Sequence, residues 1–195
     1  MSPLKSSSVF IIALFAAACS SDGYTPYLDR FSTYKPQTDD LERFSLQRTA
    51  CFGFCPIYQV SVDERDVLSF RGERFVAEDD GVLSKKLPNG SFKKLVRIAQ
   101  DHRFSGFDQR YPNEAGDNCG PVATDMPSVI VSYDTKRLDH SVSWYQGCMN
   151  FDGRERFEAM VAEIDAILDI DPWIGPRESF YSDQSDQSPD DVIEE

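Results

Sequence analysis

Five cysteines are the side chains in this sequence whose type and spacing could do chemistry: Cys19, Cys51, Cys55, Cys119 and Cys148. A cysteine can take a lipid, close a disulfide, exchange electrons or bind a soft metal, and its surroundings decide which. Cys19 stands apart. It follows the apolar run VFIIALFAAA at residues 9–18, itself preceded by a short polar segment carrying Lys5. A cationic start, a short apolar stretch and small residues before a cut describe an export signal. The run is too short for a membrane-spanning helix, which needs about 20 apolar residues. Ala16, Ala17 and Ala18 before Cys19 match a bacterial lipobox, with Ala16 where Leu is usual. The alternative is an ordinary signal-peptidase cut beside an incidental cysteine. The expectation is a signal peptide over 1–18, lipidation at Cys19 and a lipid-anchored linker over 19–42, rich in Ser, Thr, Pro and Asp. Ser20, not Asp, follows the cysteine, which is compatible with sorting to the outer membrane, facing the periplasm.

Cys51, Cys55, Cys119 and Cys148 remain. An even number in an exported chain points to two disulfides, and four cysteines allow three connectivities. If residues 128–134 and 137–145 form a hairpin, Cys148 lies just past its open end and Cys119 a few residues before it. Pairing them staples the hairpin to its entry loop and leaves Cys51 with Cys55 across the turn CFGFCP. That pair has other readings. Thioredoxin-type dithiols use CxxC at a helix N-terminus, where the helix dipole lowers a thiol pKa. The spelling CxxxCP is also similar to that of Sco-type copper chaperones, with His140 or His102 as a further ligand. The context differs from both, because the motif leads straight into the alternating segment IYQVSVD and not into a helix. Disulfides at both pairs are the favoured reading, with a redox or copper pair as the alternative.

Other chemistry is poorly represented. Doublets such as Asp39-Asp40 and Asp79-Asp80 lack a partner at a telling spacing and read as solvated loop charge. No GxSxG, HExxH, P-loop or GxGxxG occurs. The two histidines have no ligand spacing, so neither a metal nor a cofactor is expected, and the balance is against an enzyme. Thirty-three acidic against 20 basic residues give a net charge of -13. Removing 1–18 deletes one Lys and makes it -14. Such a chain lacks the basic footprint of a nucleic-acid binder. Membrane affinity would come from acyl chains, which acidity does not oppose.

The elements that must position the cysteines follow from periodicity. Residues 43–49, 57–63 and 66–76 alternate as strands, with Phe44 and Leu46, then Tyr58, Val60 and Val62, then Leu68 and Phe70 on one face. Gly72 marks a bulge or close approach. Phe92, Leu95, Val96 and Ala99 fall at helical spacing, with Pro88 in the first turn and Ser91 as a cap. Residues 104–127 read as irregular. Residues 128–134 and 137–145 read as strands, and 154–168 as a helix stopped by Asp171-Pro172. Residues 177–195 hold seven acids and one base and read as a solvated, disordered tail. The predicted fold is α+β and two-layered. It has an antiparallel sheet in the order β-β-β-α-β-β-α, two helices packed on one face, and a domain over 43–176.

The run FSLQRTACFGFCPIYQVSV, an FRGERFV strand, an amphipathic helix, ATDMPSVIVSY and a last helix ending near PWIG together resemble the DUF6438 family over about residues 43–175. The most specific piece is RTxCFGxCPxY, here Arg48, Thr49, Cys51, Phe52, Gly53, Cys55, Pro56 and Tyr58. A second is TDxP, here Thr124, Asp125 and Pro127. The resemblance implies a domain of bacterial exported proteins and lipoproteins. Similar members often carry CFGxCP without counterparts of Cys119 and Cys148, which implies the pairings 51–55 and 119–148. The family brings no activity with it. The expectation is a non-enzymatic envelope lipoprotein domain, held at the membrane by its N-terminal lipid, that binds a protein or other envelope component. The alternative is thiol-disulfide or copper handling at Cys51 and Cys55.

Overall fold

The central strand, β1 (Arg43–Arg48), pairs antiparallel on both sides, with β2 (Ile57–Asp63) and β6 (Ser128–Asp134). The computed structural model describes residues 41–79 and 81–176; the signal sequence, Cys19, nearly all of the linker and the acidic tail lie outside the described residues. Next to β2 lie β3 (Val67–Arg74) and β4 (Leu83–Lys86). Next to β6 lie β7 (Asp139–Tyr145) and the two-residue β5 (Arg110–Tyr111). The seven-stranded order is β4-β3-β2-β1-β6-β7-β5.

The mixed α+β class matches the sequence reading, but the detail departs from it. Strand β5 runs parallel to β7, so the sheet is mixed and not antiparallel throughout. Two strands are additional. Leu83-Ser84-Lys85-Lys86 is short and lysine-rich, as suits an exposed sheet edge. Arg110-Tyr111 is too brief to show a period within the irregular segment. Asp171-Pro172 does not merely stop a helix. It opens a third, α3 (Asp171–Ile174), with proline in the first turn, where its missing N–H is harmless.

Strand alternation separates two kinds of side chain. Phe44, Leu46, Val60, Val62, Leu68, Phe70, Val131, Tyr133 and Val142 are buried in one cluster. Leu95 and Ala99 of α1 (Ser91–Asp101) and Phe157, Met160, Ile164 and Leu168 of α2 (Arg154–Leu168) join it. The alternate positions carry a row of serines in direct register across six strands: Ser84, Ser69, Ser61, Ser45, Ser132 and Ser141. The hydroxyls of Ser132 and Ser141 lie 2.8 Å apart. Gly72 sits where a Cβ would come within 2.0 Å of the Glu78 carbonyl oxygen, so the turn after β3 can fold back only over glycine. The register slips beside it, between Ile57 and Tyr58.

Helix α1 is capped from a distance. Gly90, at φ +85, occupies the N-cap and has no side chain to offer. Ser91, expected as the cap, instead donates its hydroxyl to the Pro88 carbonyl at 2.7 Å. The buried Asp66, in the turn between β2 and β3, accepts from the backbone N–H of Phe92 at 2.8 Å and of Gly90 at 2.9 Å. These bonds satisfy donors that a helix start leaves orphaned. Burial opposes the Asp66 charge, but the two N–H groups and Lys86 outweigh it and hold the carboxyl below its ordinary 3.8. At Asp63, burial is likewise overcome by the N–H of Val67 and by Arg65. A lowered folded pKa gives stability that is fully present above the unfolded value and lost as pH falls through the folded one. Asp66→Asn tolerates the residue's φ of +61 but keeps only one acceptor for the two N–H groups, so it removes the charge together with one of the two bonds. Its expected cost is about 1–2 kcal/mol at neutral pH, shrinking as the pH is lowered below the ordinary 3.8 and the carboxyl takes up its proton, as followed by urea unfolding across that range.

Candidate functional site

The end of β1 is tied to the helices before the first cysteine is reached. Arg48 stands opposite Tyr58 in register, on the face that holds Phe44 and Leu46. Its Nε donates to the Tyr58 hydroxyl at 3.0 Å and its Nη2 to Asp165 Oδ2 of α2 at 2.6 Å. Burial pushes the Tyr58 phenol up, and Asp165 and Asp171 push it further, against the pull of Arg48. Burial also raises the Asp165 carboxyl, and Arg48 only partly offsets it.

Beyond Arg48 the chain makes the hairpin connection to β2, closed by the Cys51–Cys55 disulfide with the Cα atoms 5.7 Å apart. Gly53, at φ +142, takes a backbone conformation that side chains disfavour. The loop is bound to the second motif. Thr49 N–H donates to the Ser128 carbonyl at 3.1 Å, Ser128 N–H to the Thr49 hydroxyl at 2.8 Å, and Phe52 N–H to the Asp125 carbonyl at 3.1 Å. Asp125 is held at φ +65, and Thr124 donates its hydroxyl to the Asp125 carboxylate at 2.9 Å. The RTxCFGxCPxY and TDxP pieces, more than 60 residues apart in the chain, thus form one surface.

The second disulfide stands at the same end of the sheet. Cys119 bonds buried Cys148 just past β7, and Val122 bridges to Cys148 through the backbone. Met126 N–H donates to the Tyr145 hydroxyl at 3.1 Å, and Trp144 Nε1 to the Cys148 carbonyl at 2.9 Å. The pairings are those that the hairpin geometry selects. Around them lie exposed apolar side chains: Phe52 at 88%, Met149 at 54%, Val122 at 46% and Met126 at 41%. Phe52 and Met126 adjoin through the Phe52–Asp125 bond, and Val122 and Met149 through the bridge at Cys148.

Neither histidine is engaged with the Cys51–Cys55 pair. His140 Nε2 bonds the Phe107 carbonyl at 3.0 Å, with its ring edge-on to Phe104, a half-buried and satisfied residue. His102 Nε2 bonds Glu163 at 3.0 Å. Among the described residues no group of three or more His, Cys, Asp and Glu is arranged to hold a metal ion. Sequence reasoning missed two features of the site, the Arg48–Asp165 tie and the apolar rim. The first joins residues 117 apart, and single exposed Phe, Val and Met residues show no period.

The family described as "Domain of unknown function (DUF6438)" matches residues 42–168, and the chain belongs to it. No curated protein matches the chain.

The two disulfides differ in the length of chain they close, 29 residues for Cys119–Cys148 against 4 for Cys51–Cys55. Replacing both cysteines of the first pair by Ser is expected to cost about 4 kcal/mol, and of the second about 2 kcal/mol, in urea unfolding without reductant. A larger loss at the short loop would contradict the chain-entropy account.

Proposed function

We propose that this protein is a non-enzymatic bacterial envelope lipoprotein whose disulfide-bonded end docks a protein partner. The observation that carries the reading is the apolar rim. Four of the large apolar side chains exposed among the described residues, Phe52, Val122, Met126 and Met149, gather around two loops stiffened by disulfides and backbone hydrogen bonds. An exposed aromatic with methionines on a rigid base is the composition of a protein-binding patch, in which a few such anchors carry most of the affinity. A protein fits the rim better than a charged ligand does, because its exposed side chains are apolar.

The placement of the chain agrees. Residues 41–43 enter at the start of β1, and Cys51 follows its other end, six strand residues away, or about 20 Å. In this reading the signal is removed, Cys19 carries lipid, and the protein faces the periplasm, attached to the outer membrane. The two main helices form a layer over one sheet face, and the rim lies at the end away from the tether. Among the described residues no helix is long and apolar enough to cross a membrane. Thiol-disulfide or copper handling is the alternative. It would require Cys51–Cys55 to be reduced with a ligand or partner brought to it.

The test is in-cell cross-linking of the lipidated chain. A photoreactive residue at Phe52 or Met126 is expected to yield a discrete protein adduct, absent from the same substitution at exposed Val82. The soluble Cys19→Ser variant should lose membrane association. Equal adducts at all three positions, or none, would remove the docking reading. Recovery of free thiols or stoichiometric copper at Cys51 and Cys55 would favour the alternative.

A further inference from the structure

The lysines of this acidic chain are not spread evenly over its surface. The described residues contain five, Lys85, Lys86, Lys93, Lys94 and Lys136, and all lie towards one end of the sheet. That end is marked by Arg43, the first residue of β1, which stands in register with Asp63 and Asp134. Lys86 pairs with Val67 at the start of β3, and Lys85 is its neighbour. Lys136 occupies the turn between β6 and β7. Lys93 and Lys94 are in the first turn of α1, whose opening amides are tied to Asp66 in the turn between β2 and β3. The chain enters β1 at the same place, where Glu64 N–H donates to the Glu42 carbonyl at 3.0 Å.

Helix α1 concentrates the charge. Residues 81–100 hold five bases and no acid, in a chain whose net charge is -13. Lys93, Lys94 and Arg97 are exposed on the face of α1 opposite buried Leu95 and Ala99, and the helix's one acid is its last residue, Asp101. Among the described residues none of these three cations forms an ion pair. Of the acids at this end, Asp66 caps α1 and Asp63 holds Arg65, while exposed Glu64, Asp134 and Asp139 sit at strand ends and turns, off the helix. We propose that this corner rests on the anionic headgroups of the membrane that holds the chain, with Lys93, Lys94 and Arg97 against lipid phosphates. The inference rests on the envelope-lipoprotein reading and adds an orientation to it: the apolar rim, at the other end of the sheet, is turned away from the bilayer. Overall acidity does not oppose the contact, because at physiological ionic strength charges more than about 8 Å from the surface are largely screened. Each cation near such a surface favours contact by about fivefold, so three give about a hundredfold. That factor is too small to hold an unanchored chain, but behind a lipid anchor the contact is intramolecular and the factor suffices.

The test places the lipidated full chain on vesicles of phosphatidylcholine, with and without phosphatidylglycerol, and labels its lysine amines with an acylating reagent read by mass spectrometry. Lys93 and Lys94 are expected to label about tenfold or more slowly on the anionic vesicles. Arg97→Gln, which alters only an exposed side chain, should relax that protection by about fivefold, and salt at about 1 M, where the Debye length is about 3 Å, should abolish it. Equal labelling on the two kinds of vesicle, with the chain bound to both, would overturn the proposal and leave the lipid anchor standing. A chain that fails to float with the neutral vesicles would remove the lipoprotein reading and the orientation with it. Protection that neither Arg97→Gln nor salt relieves would trace to something other than headgroup charge and overturn the proposal too.

Discussion

A guanidinium at the edge of the core is the interaction on which the disulfide-bonded end depends. The Arg48 side chain is 25% exposed and reaches Asp165, itself 39% exposed, across the end of the sheet. A charge so placed is costly without its partners. Arg48 has two, the Tyr58 hydroxyl on the neighbouring strand and the carboxylate on α2. One side chain therefore fixes where β1 ends, how β2 begins against it and where the last turns of α2 lie. The contacts of the first disulfide loop follow directly from that point in the chain. Thr49 follows in the chain and bonds Ser128, Cys51 opens the closed loop, and Phe52 bonds Asp125.

That joint also explains why the motif has its length. Arg48 and Tyr58 are the first and last residues of RTxCFGxCPxY, and they are direct partners in the strand register. The residues between them are the excursion that the pairing permits. The disulfide and the glycine at φ +142 keep that excursion tight enough to expose Phe52 without freeing it. The serine row on the strand positions alternate to the core offers a contrast. It carries only small hydroxyls, two pairs of which bond each other, whereas four of the exposed large apolar side chains, Phe52, Val122, Met126 and Met149, lie around the disulfides at the sheet's end.

Much of this was legible in the sequence, and the limits have physical causes. Strands β1, β2, β6 and β7 and both long helices show their period because each buries one face against the core. Phe157, Met160, Ile164 and Leu168 of α2 are buried as their spacing predicts. Strand β5 is two residues long and β4 four, with two lysines, so neither has a period to read. The capping of α1 by Asp66 links residues 26 apart through a turn, and a local pattern pointed to Ser91 instead. The cysteine pairs could be reasoned from hairpin geometry, but the meeting of CFGxCP with TDxP is a property of the β1–β6 pairing that only the fold displays.

The claim that these two motif pieces form a single rigid surface has a direct probe, the backbone amide of Phe52. Its side chain is 88% exposed, so burial cannot slow its exchange with solvent, whereas its bond to the Asp125 carbonyl can. Hydrogen exchange followed by nuclear magnetic resonance on the oxidised chain should show this amide protected by about tenfold or more over an unstructured peptide, with the protection lost in Arg48→Met. An amide that exchanges at the peptide rate in the native chain would contradict the account.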